Sequence, residues 1–553
     1  MTIKSYTPTL IELANQINEF GELNLSNQQI TSLPENIGDL ENIKYFYLSN
    51  NNLEKLPDSI GNCDSLVRLS LQDNKLRVLP ESIGKLQNLV SLHLDHNNLE
   101  SLPSSIVDCK NLQLLTITEN KFNRLFDLIV VLSKINGLSV GGFPELSVAN
   151  KASPNKVTLL DTQYDIVIIN PTCEGGGDYE LAKKIETIAS NFYKVLTISI
   201  EKKDEYKEEP LQKKILANRF IITPYNIISP RRIQEIIQNN FILTKETKAL
   251  LIDEMDSRQT YSIDEYRQNL RQMQIDDVYE TKLGFSKNSI GYLSLTPSEC
   301  SAIQQRARTE LEKLLPIDDS AHYYLSYLNS TKKILAMQVF MINTLQELQE
   351  NPSSINYVCS IGATSSSNTI ISLCNAAYRM KQPLEHFELT EKFSTINVML
   401  IDPNNKKIFQ EELQTIGTGT IPINIIFMTT LSMPKDTWRN FIAIAKSGMM
   451  TGDHSLSDYL SIKQAMPFYE TQNWKVPLKE ALLLEAEEFK DANFKEYVNT
   501  RFVVDAPFTT QAEFVQDTML EGSTRSDFQE FGTLLAKKTA NQACLEKIHA
   551  LMR

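Results

Sequence analysis

The sequence predicts an α/β protein with a repetitive N-terminal part, two α/β domains and a helical C-terminal tail. Prolines recur every 23 residues, at positions 34, 57, 80 and 103. Farther along, short apolar runs alternate with helical stretches, which is the pattern of parallel sheets covered by helices. The final stretch, from residue 481 onwards, has only a helical pattern. These three observations divide the chain before any single motif is considered.

Each 23-residue period carries the pattern L-x-L-x-x-N-x-L, as at Leu69, Leu71, Asn74 and Leu76. This pattern is that of leucine-rich repeats, in which alternating leucines fill a stacked core and the asparagine hydrogen-bonds the turn backbone. A terminal repeat has Gln28 in place of the asparagine. We predict a capping helix over 1–20, repeats over 21–146 and a linker over 147–163.

The concave face of such a solenoid is a candidate protein-binding surface. Its strands would expose Tyr45, Tyr47, Arg68 and His93, and Tyr and Arg are favoured anchors in interfaces. We therefore expect a protein partner on this face. The alternative is that the repeats serve only as a scaffold.

Beyond the linker, the strand-like run "YDIVIIN" begins a first α/β domain, predicted over 164–320. Residues 229–320 are expected to be mostly helical. A second alternation starts at "HYYLSYLN" and predicts another α/β domain over 321–480, followed by a helical tail over 481–553. Ligands of such sheets lie beyond the carboxyl ends of the strands, where helices begin.

Composition excludes several classes of function. The net charge of −13 argues against a broad nucleic-acid-binding surface, which needs clustered Lys and Arg. No apolar run approaches the length of a membrane span, and the start lacks the pattern of a cleaved signal. The seven cysteines are scattered, which favours reduced thiols. We expect a soluble protein.

The stretch "TGDHSLSDYL" places Ser455 and Asp458 at the S-x-x-D spacing of a helix cap, which predicts a helix beginning at Ser455. The free amides of a first helical turn favour an anion such as phosphate. Gly452 would allow close approach of a ligand, and the hydroxyls of Ser455 and Ser457 could bind it. The alternative is a capped surface helix without a ligand.

The longer stretch from "INIIFMTTLSMPKDTWRNF" to "GDHSLSDYLSIKQAMPFYE" resembles the C-terminal domain of GT-B glycosyltransferases, which are built from two Rossmann-like domains. The resemblance implies that the helix start holds the diphosphate of a nucleotide sugar. It is faintly similar to protein-arginine rhamnosyltransferases, which have Gly-Glu-Asp-Ser where this chain has Gly-Asp-His-Ser. The donor-binding residues that the resemblance implies are Gly452, Asp453, His454, Ser455, Ser457, Asp458, Tyr469 and Glu470.

The segment "NPTCEGGGDYELAKKI" resembles the first glycine-rich loop of GT-B N-terminal domains. Transfer with inversion needs a carboxylate that takes the proton of the acceptor. We expect Asp178 to be this base, with Glu174 the second candidate, and Gly175, Gly176 and Gly177 to let substrate approach the backbone. The alternative role of Asp178 is to cap the helix that starts at Tyr179.

No D-x-D and no H-E-x-x-H motif occurs, so we expect a metal-independent enzyme without a cofactor, whose donor substrate is a nucleotide-diphosphate sugar. Lys475, beside Trp474, is a candidate to offset the diphosphate charge.

The combined interpretation is a glycosyltransferase whose leucine-rich repeats select a protein acceptor. This combination resembles effectors that intracellular bacterial pathogens deliver into host cells, which implies action in the host cytosol, or otherwise in the bacterial cytoplasm. Two alternatives remain: a non-catalytic interaction protein with a transferase-like body, or another nucleotide-using α/β enzyme.

Overall fold

A computed structural model describes residues 7–122, 125–142, 164–172, 177–201, 214–257, 260–328, 333–361, 367–402, 407–428, 433–503 and 522–553. The chain forms two compact units. Unit 1 comprises Met1–Ser147 and Ser365–Leu431. Unit 2 comprises Val148–Thr364 and Ser432–Arg553. Each unit therefore contains two separate stretches of sequence.

The first stretch of unit 1 is a solenoid with one parallel six-stranded sheet in chain order. Its elements are α1 (Leu10–Ala14), β1 (Glu22–Asn24), β2 (Tyr45–Tyr47), β3 (Arg68–Ser70), β4 (Ser91–His93), β5 (Leu114–Thr116), α2 (Leu125–Ser133) and β6 (Ser139–Gly141).

The predicted roles of the repeat residues are visible in each period. Asn74 is buried, its side-chain oxygen accepts a hydrogen bond from the Leu53 amide (3.0 Å), and its amide group donates to the carbonyls of Leu48 (2.9 Å) and Leu71 (3.1 Å). Pro80, with φ of −70°, precedes a short 3₁₀ helix on the other side of the solenoid. Consecutive repeats are thus joined by side chains as well as by the sheet.

The first α/β segment, in unit 2, forms a parallel sheet in the order β13-β12-β10-β7-β8. It also contains a two-stranded pair, β11-β9. Apolar side chains of the sheet and its helices form the core, among them Val167, Phe220, Leu251 and Tyr266. The elements are β7 (Ile166–Thr172), α3 (Gly177–Ser190), β8 (Val195–Glu201), β9 (Ile215–Leu216), β10 (Arg219–Ile222), α4 (Pro230–Asn240), β11 (Phe241–Ile242), β12 (Lys248–Asp253), α5 (Ile263–Arg271), β13 (Asp277–Lys282) and α6 (Pro297–Leu311).

The strands of the second α/β segment, which begins with β14, are divided between the units. In unit 2 the order is β15-β14-β19-β20-β21, all parallel; in unit 1 it is β17-β16-β18, with β17 antiparallel. The elements are β14 (His322–Leu328), α7 (Lys333–Gln346), β15 (Ile355–Ile361), α8 (Ser367–Tyr378), α9 (Lys381–His386), β16 (Phe393–Asp402), β17 (Lys407–Thr415), β18 (Ile421–Met428), α10 (Lys435–Ile444), β19 (Ser447–Met450), α11 (Asp453–Lys463), β20 (Phe468–Glu470), α12 (Val476–Phe489), α13 (Ala492–Asn499) and β21 (Phe502–Val503).

Within the predicted helical tail over 481–553, β21 departs from the prediction and extends the second sheet, and the last two helices, α14 (Gly522–Lys537) and α15 (Asn541–Met552), return to the first α/β segment. The connection between these helices pairs with Tyr292: the Tyr292 amide donates to Lys538 O (3.1 Å) and the Ala540 amide to Tyr292 O (2.8 Å). The hydroxyl of Tyr193, just after α3, lies 2.5 Å from His549 Nδ1 on α15. The tail thus covers part of the first α/β segment.

The predicted fold class, leucine-rich repeats followed by two Rossmann-like α/β segments and a helical tail, is confirmed. The expectation that residues 229–320 are mostly helical is wrong, because β12 and β13 lie within them. Strand β12 is completely buried apart from its first residue, and a short apolar run of this kind fits a buried strand and a buried helix equally well. In the described part of the predicted capping helix, only Leu10–Ala14 is helical. Within the described residues, no helix is both long and apolar enough to cross a membrane.

Candidate functional site

The strand orders in unit 2 locate the carboxyl-end crevices where α/β sheets bind ligands. In the first sheet, β7 lies between β8, the next strand of the chain, and β10, which the chain reaches later, so the strand order reverses at β7. In the second, β14 lies between β15 and β19 in the same way. Such topological switch points are the usual ligand sites of doubly wound sheets. They bring together the start of α3, which follows β7, and the start of α11, which follows β19.

Thr451 connects the carboxyl ends of three neighbouring strands. Its hydroxyl donates towards the carbonyl of Tyr327 on β14 (2.7 Å) and the Oε2 atom of Glu470 on β20 (2.6 Å). Thr451 is 3% exposed and Glu470 is fully buried. Glu470, a predicted donor contact, therefore fixes the segment between β19 and α11.

Gly452 is the residue at which this segment turns into α11. Its φ of 85° and ψ of 161° belong to a region that is accessible essentially to glycine alone. Among the residues that the structure describes, and apart from the two chain neighbours, no heavy atom would lie within 4 Å of a Cβ atom placed on Gly452.

The prediction that Ser455 caps the helix is wrong, because α11 begins two residues earlier with Gly452 as its N-cap. The Ser455 hydroxyl instead donates back to the carbonyls of Thr451 (2.8 Å) and Gly452 (2.9 Å). A serine inside the first turn can form such bonds, which the S-x-x-D spacing cannot distinguish from capping.

Ser457 and Asp458 lie on the side of α11 that packs against the first α/β segment. The Lys184 ammonium of α3 donates to Ser457 Oγ (2.8 Å) and Asp458 Oδ1 (3.2 Å), and Ser457 donates to Leu293 O (2.6 Å). The Arg439 guanidinium contacts both oxygens of Asp458, at 2.7 and 3.2 Å. Burial raises the pKa of Asp458, but Lys184 and Arg439 outweigh it and hold that pKa below its usual range.

His454 and Glu180 connect the first turns of α11 and α3. His454 Nε2 lies 3.7 Å from Glu180 Oε2, and Glu180 also accepts a hydrogen bond from Lys435. Burial, reinforced by Lys184, lowers the pKa of His454 to about 4. The histidine is therefore neutral at physiological pH and adds no charge to the site.

Asp453, the first residue of α11, forms a second buried ion cluster. Its Oδ2 atom accepts hydrogen bonds from the Met255 amide (2.9 Å) and the Lys475 ammonium (2.7 Å). Lys475 also donates to Glu254 Oε2 (3.0 Å) and to Met255 O (2.9 Å). Burial raises the pKa of Asp453 to about 6, although Lys475 acts against this shift.

The remaining predicted site residues fall into three groups. Tyr469, on β20, is 1% exposed, and burial raises its pKa. Glu174, Gly175 and Gly176 lie outside the described residues, whereas the backbones of Gly177 and Asp178 form the start of α3. The third group, the predicted partner-binding residues, lies in unit 1.

The predicted partner-binding residues are on three neighbouring strands of the repeat sheet. Tyr45 (37% exposed) and Tyr47 are on β2, Arg68 on β3 and His93 on β4. Arg68 and Tyr45 are exposed, while Tyr47 and His93 are half-buried. The Arg68 Nε atom donates to Ser91 Oγ (3.0 Å), which orients the guanidinium along the face.

The sequence did not indicate Lys184, Arg439 or Glu254 as parts of this region. Lys184 and Arg439 lie within the two segments that carry the resemblance, but no spacing in either segment singles them out, and Glu254 comes from a segment far from α11. In the described ranges, no three His, Cys, Asp or Glu side chains are grouped so as to hold a metal ion.

Comparison with known proteins identifies the repeats. The leucine-rich repeat family profile matches residues 21–76 and 64–122. No curated protein matches the chain in sequence. A leucine-rich repeat protein of Leptospira interrogans is similar over 50% of this chain, with 21% identity and a TM-score of 0.21, and the chain spans 57% of that protein's length.

Two solved α,α-trehalose-phosphate synthases (UDP-forming) are similar over 70% of this chain. The enzyme from Burkholderia xenovorans, in complex with glucose-6-phosphate, is 9% identical with a TM-score of 0.35, and 100% of it is covered. The enzyme from Burkholderia vietnamiensis is 8% identical with a TM-score of 0.34, and 98% of it is covered. TM-scores of this size carry no argument about function. The matched profile establishes that residues 21–122 consist of leucine-rich repeats.

Proposed function

We propose that the protein is a metal-independent glycosyltransferase that moves a sugar from a nucleotide-diphosphate sugar to a protein acceptor selected by the leucine-rich repeats. One observation carries the proposal. The starts of α3 and α11 lie side by side at the carboxyl ends of two parallel sheets, with His454 Nε2 3.7 Å from Glu180 Oε2, and no heavy atom of the described residues beyond its chain neighbours lies within 4 Å of a Cβ atom placed on Gly452. This arrangement suits a ligand with a diphosphate group.

In the proposed donor site the backbone does most of the binding. The amides at the start of α11, from Asp453 to Ser455, would hold the diphosphate, and Gly452 would allow its approach. The side chains of Ser455, Ser457 and Asp458 would support this turn, since their polar atoms already bind protein groups. Tyr469 and Glu470 would support it from β20.

In the proposed reaction, Asp178 takes the proton from the acceptor nucleophile as that nucleophile attacks the anomeric carbon. The bond from this carbon to the diphosphate breaks, and the nucleoside diphosphate leaves with the electron pair. The amides of α11 would stabilise its developing charge without a metal ion or cofactor. Glu174 is the second candidate for the base. Tyr45, Tyr47, Arg68 and His93 would contact the protein acceptor.

The test is nucleotide release from UDP-, GDP- and dTDP-sugars, with binding measured by calorimetry. We expect release from one donor, loss of binding in Gly452→Ala, and unchanged release in Gly137→Ala. Gly137 is the matched control because it also has a positive φ (66°) and open space around it, but lies in unit 1. Neither binding nor release with any donor would refute the proposal.

Asp178→Asn tests the base separately. We expect it to retain donor binding and to lose release by about 100-fold or more, the usual contribution of a general base. Wild-type binding without release would instead favour the non-catalytic alternative, which the internal hydrogen bonds of Ser455 and Ser457 already make worth testing.

Delivery into a host cytosol is also part of the proposal. None of the described cysteines forms a disulfide, as is usual in reducing compartments. A translocation assay with a reporter fused to the chain would test delivery: reporter signal in infected host cells supports it, and signal confined to bacteria refutes it.

A further inference from the structure

Lys475 is a buried lysine whose hydrogen-bonding capacity is fully used within the protein. Its side chain is 3% exposed. The ammonium donates to Glu254 Oε2 (3.0 Å), Met255 O (2.9 Å) and Asp453 Oδ2 (2.7 Å). An ammonium has three N–H donors, so none remains for a ligand. Lys475, the candidate to offset the diphosphate charge, therefore has no free donor with which to contact a diphosphate directly.

The partners of Lys475 come from the carboxyl ends of both sheets of unit 2. Glu254 and Met255 directly follow β12, and Asp453 is the first residue of α11, directly after β19 and its turn. The Met255 amide also donates to Asp453 Oδ2 (2.9 Å). Lys475 thus holds the start of α11 against the end of β12.

Lys475 lies between two carboxylates. Asp453 and Glu254 bring two carboxylates to the beginning of α11, and Lys475 is the cation that contacts both. A carboxylate at the first residue of a helix is favourable for the helix dipole, but it occupies the same positive end that an anionic ligand would use. At separations of a few ångströms, two unneutralised carboxylates would strongly repel a diphosphate.

We infer that Lys475 is a positioning residue of the proposed donor site, where it neutralises Asp453 and Glu254 so that the first turn of α11 can accept the diphosphate of a nucleotide. This inference rests on the proposed function. It assigns to Lys475 an effect on anion binding that is exerted entirely through the two carboxylates.

Calorimetric titration of the full chain with UDP, GDP and dTDP tests the inference. At a pH well above the pKa of about 6 that burial gives Asp453, we expect Lys475→Met to weaken the binding of the preferred nucleotide by about tenfold or more, because Lys475 then no longer offsets the charges of the two carboxylates. The double variant Lys475→Met/Asp453→Asn should recover most of this loss. Lys479→Met is the control: it removes a lysine of α12 whose ammonium lies over the Phe502 ring, 5.6 Å from its centroid.

Recovery in the double variant separates the electrostatic role from a merely structural one. Both variants lack the hydrogen bonds of Lys475, so a structural role would leave the double variant as weak as the single one, and that result overturns the inference. Equal binding by wild type and Lys475→Met also overturns it while the proposed function stands. If the wild type binds none of the three nucleotides, the proposed function itself fails and the inference falls with it.

A variant with Lys475 intact covers the case in which Lys475→Met does not fold. Asn in place of Asp453 can still accept hydrogen bonds from Met255 and Lys475 but carries no charge. Asp453→Asn should therefore bind the nucleotide about threefold more tightly or better, since it removes a negative charge at the anion site. Unchanged or weaker binding by this variant contradicts the inference.

Discussion

His454 shows how a single residue at the site depends on its surroundings. Its side chain is 22% exposed, and burial together with Lys184 and Lys435 lowers its pKa to about 4, against the weaker influence of Asp458 and Glu180. The unfolded chain takes up a proton near pH 6.5, whereas the folded chain does so only near pH 4. Between these values the unfolded state binds more protons, so the histidine destabilises the fold as the pH falls from 6.5 to 4.

We predict that His454→Gln removes this loss of stability, which amounts to at most about 3 kcal/mol. The free energy of unfolding, from urea titrations between pH 4 and 7, should fall less steeply towards low pH in the variant than in the wild type. Asp453, whose pKa is raised by burial, makes the fold more stable as the pH falls over part of this range, in both proteins. The quantity to compare is therefore the difference in unfolding free energy between His454→Gln and wild type at each pH. His96→Gln, an exposed histidine of the repeats, is the control, and parallel curves for His454→Gln and wild type would contradict the prediction.

At the scale of single elements, the C-terminal end of the repeat array is covered by a helix from far along the chain. At the C-terminal end, α2 packs against α8, which lies more than 230 residues later in the chain. The Asn375 side chain of α8 donates hydrogen bonds to the carbonyls of Ser133 (2.6 Å) and Ile135 (3.1 Å). These carbonyls belong to the last turn of α2 and its exit, where a helix lacks internal partners.

We predict that Asn375→Ala lowers the stability of unit 1 by about 1–2 kcal/mol, because it leaves these carbonyls without their side-chain donor. The better helix propensity of alanine offsets part of this loss by about 0.5 kcal/mol. Thermal unfolding of the full chain measures the effect. Arg379→Ala, an exposed position four residues farther along, is the control, and equal midpoints for the two variants would show that the cap is dispensable.

These elements also show the limits of sequence interpretation. The repeat strands and their asparagine ladder were predictable because each contact joins neighbouring repeats, as with Asn74 and Leu53. The contact between Asn375 and α2 has no such period. Strand β12 was missed because a short buried apolar run does not distinguish a strand from a helix, and β13 was missed because it is a largely polar, partly exposed strand at the edge of the sheet.

At the scale of the whole molecule, the chain passes between the two units more than once. Unit 1 takes α8, α9 and β16 to β18 from the middle of the second α/β segment, and unit 2 contains both the first segment and the tail. Within unit 2, α14 passes the end of α11 so closely that a glycine is needed. A Cβ atom on Gly532 would lie 2.7 Å from Met466 N and 2.8 Å from Ala465 Cα.

We predict that Gly532→Ala destabilises unit 2 by about 1–3 kcal/mol through this overlap. In an exposed helix the same change would stabilise by about 1 kcal/mol, so the sign of the effect reports the close contact. Urea unfolding measures it, with Leu534→Ala as the exposed control on the same helix. A stabilised Gly532→Ala variant would mean that α14 does not approach the end of α11 in solution.

The sequence by itself determined the repeats and the fold class, because each depends on residues that are close together in the chain; the role of the segment around Gly452 stays a prediction. Only the tertiary structure decided what the side chains of that segment do. Ser457 and Asp458 bind Lys184, and Asp453 binds Lys475 and Met255. The strand order decides these contacts, since parallel sheets bring together the carboxyl ends of strands from distant segments.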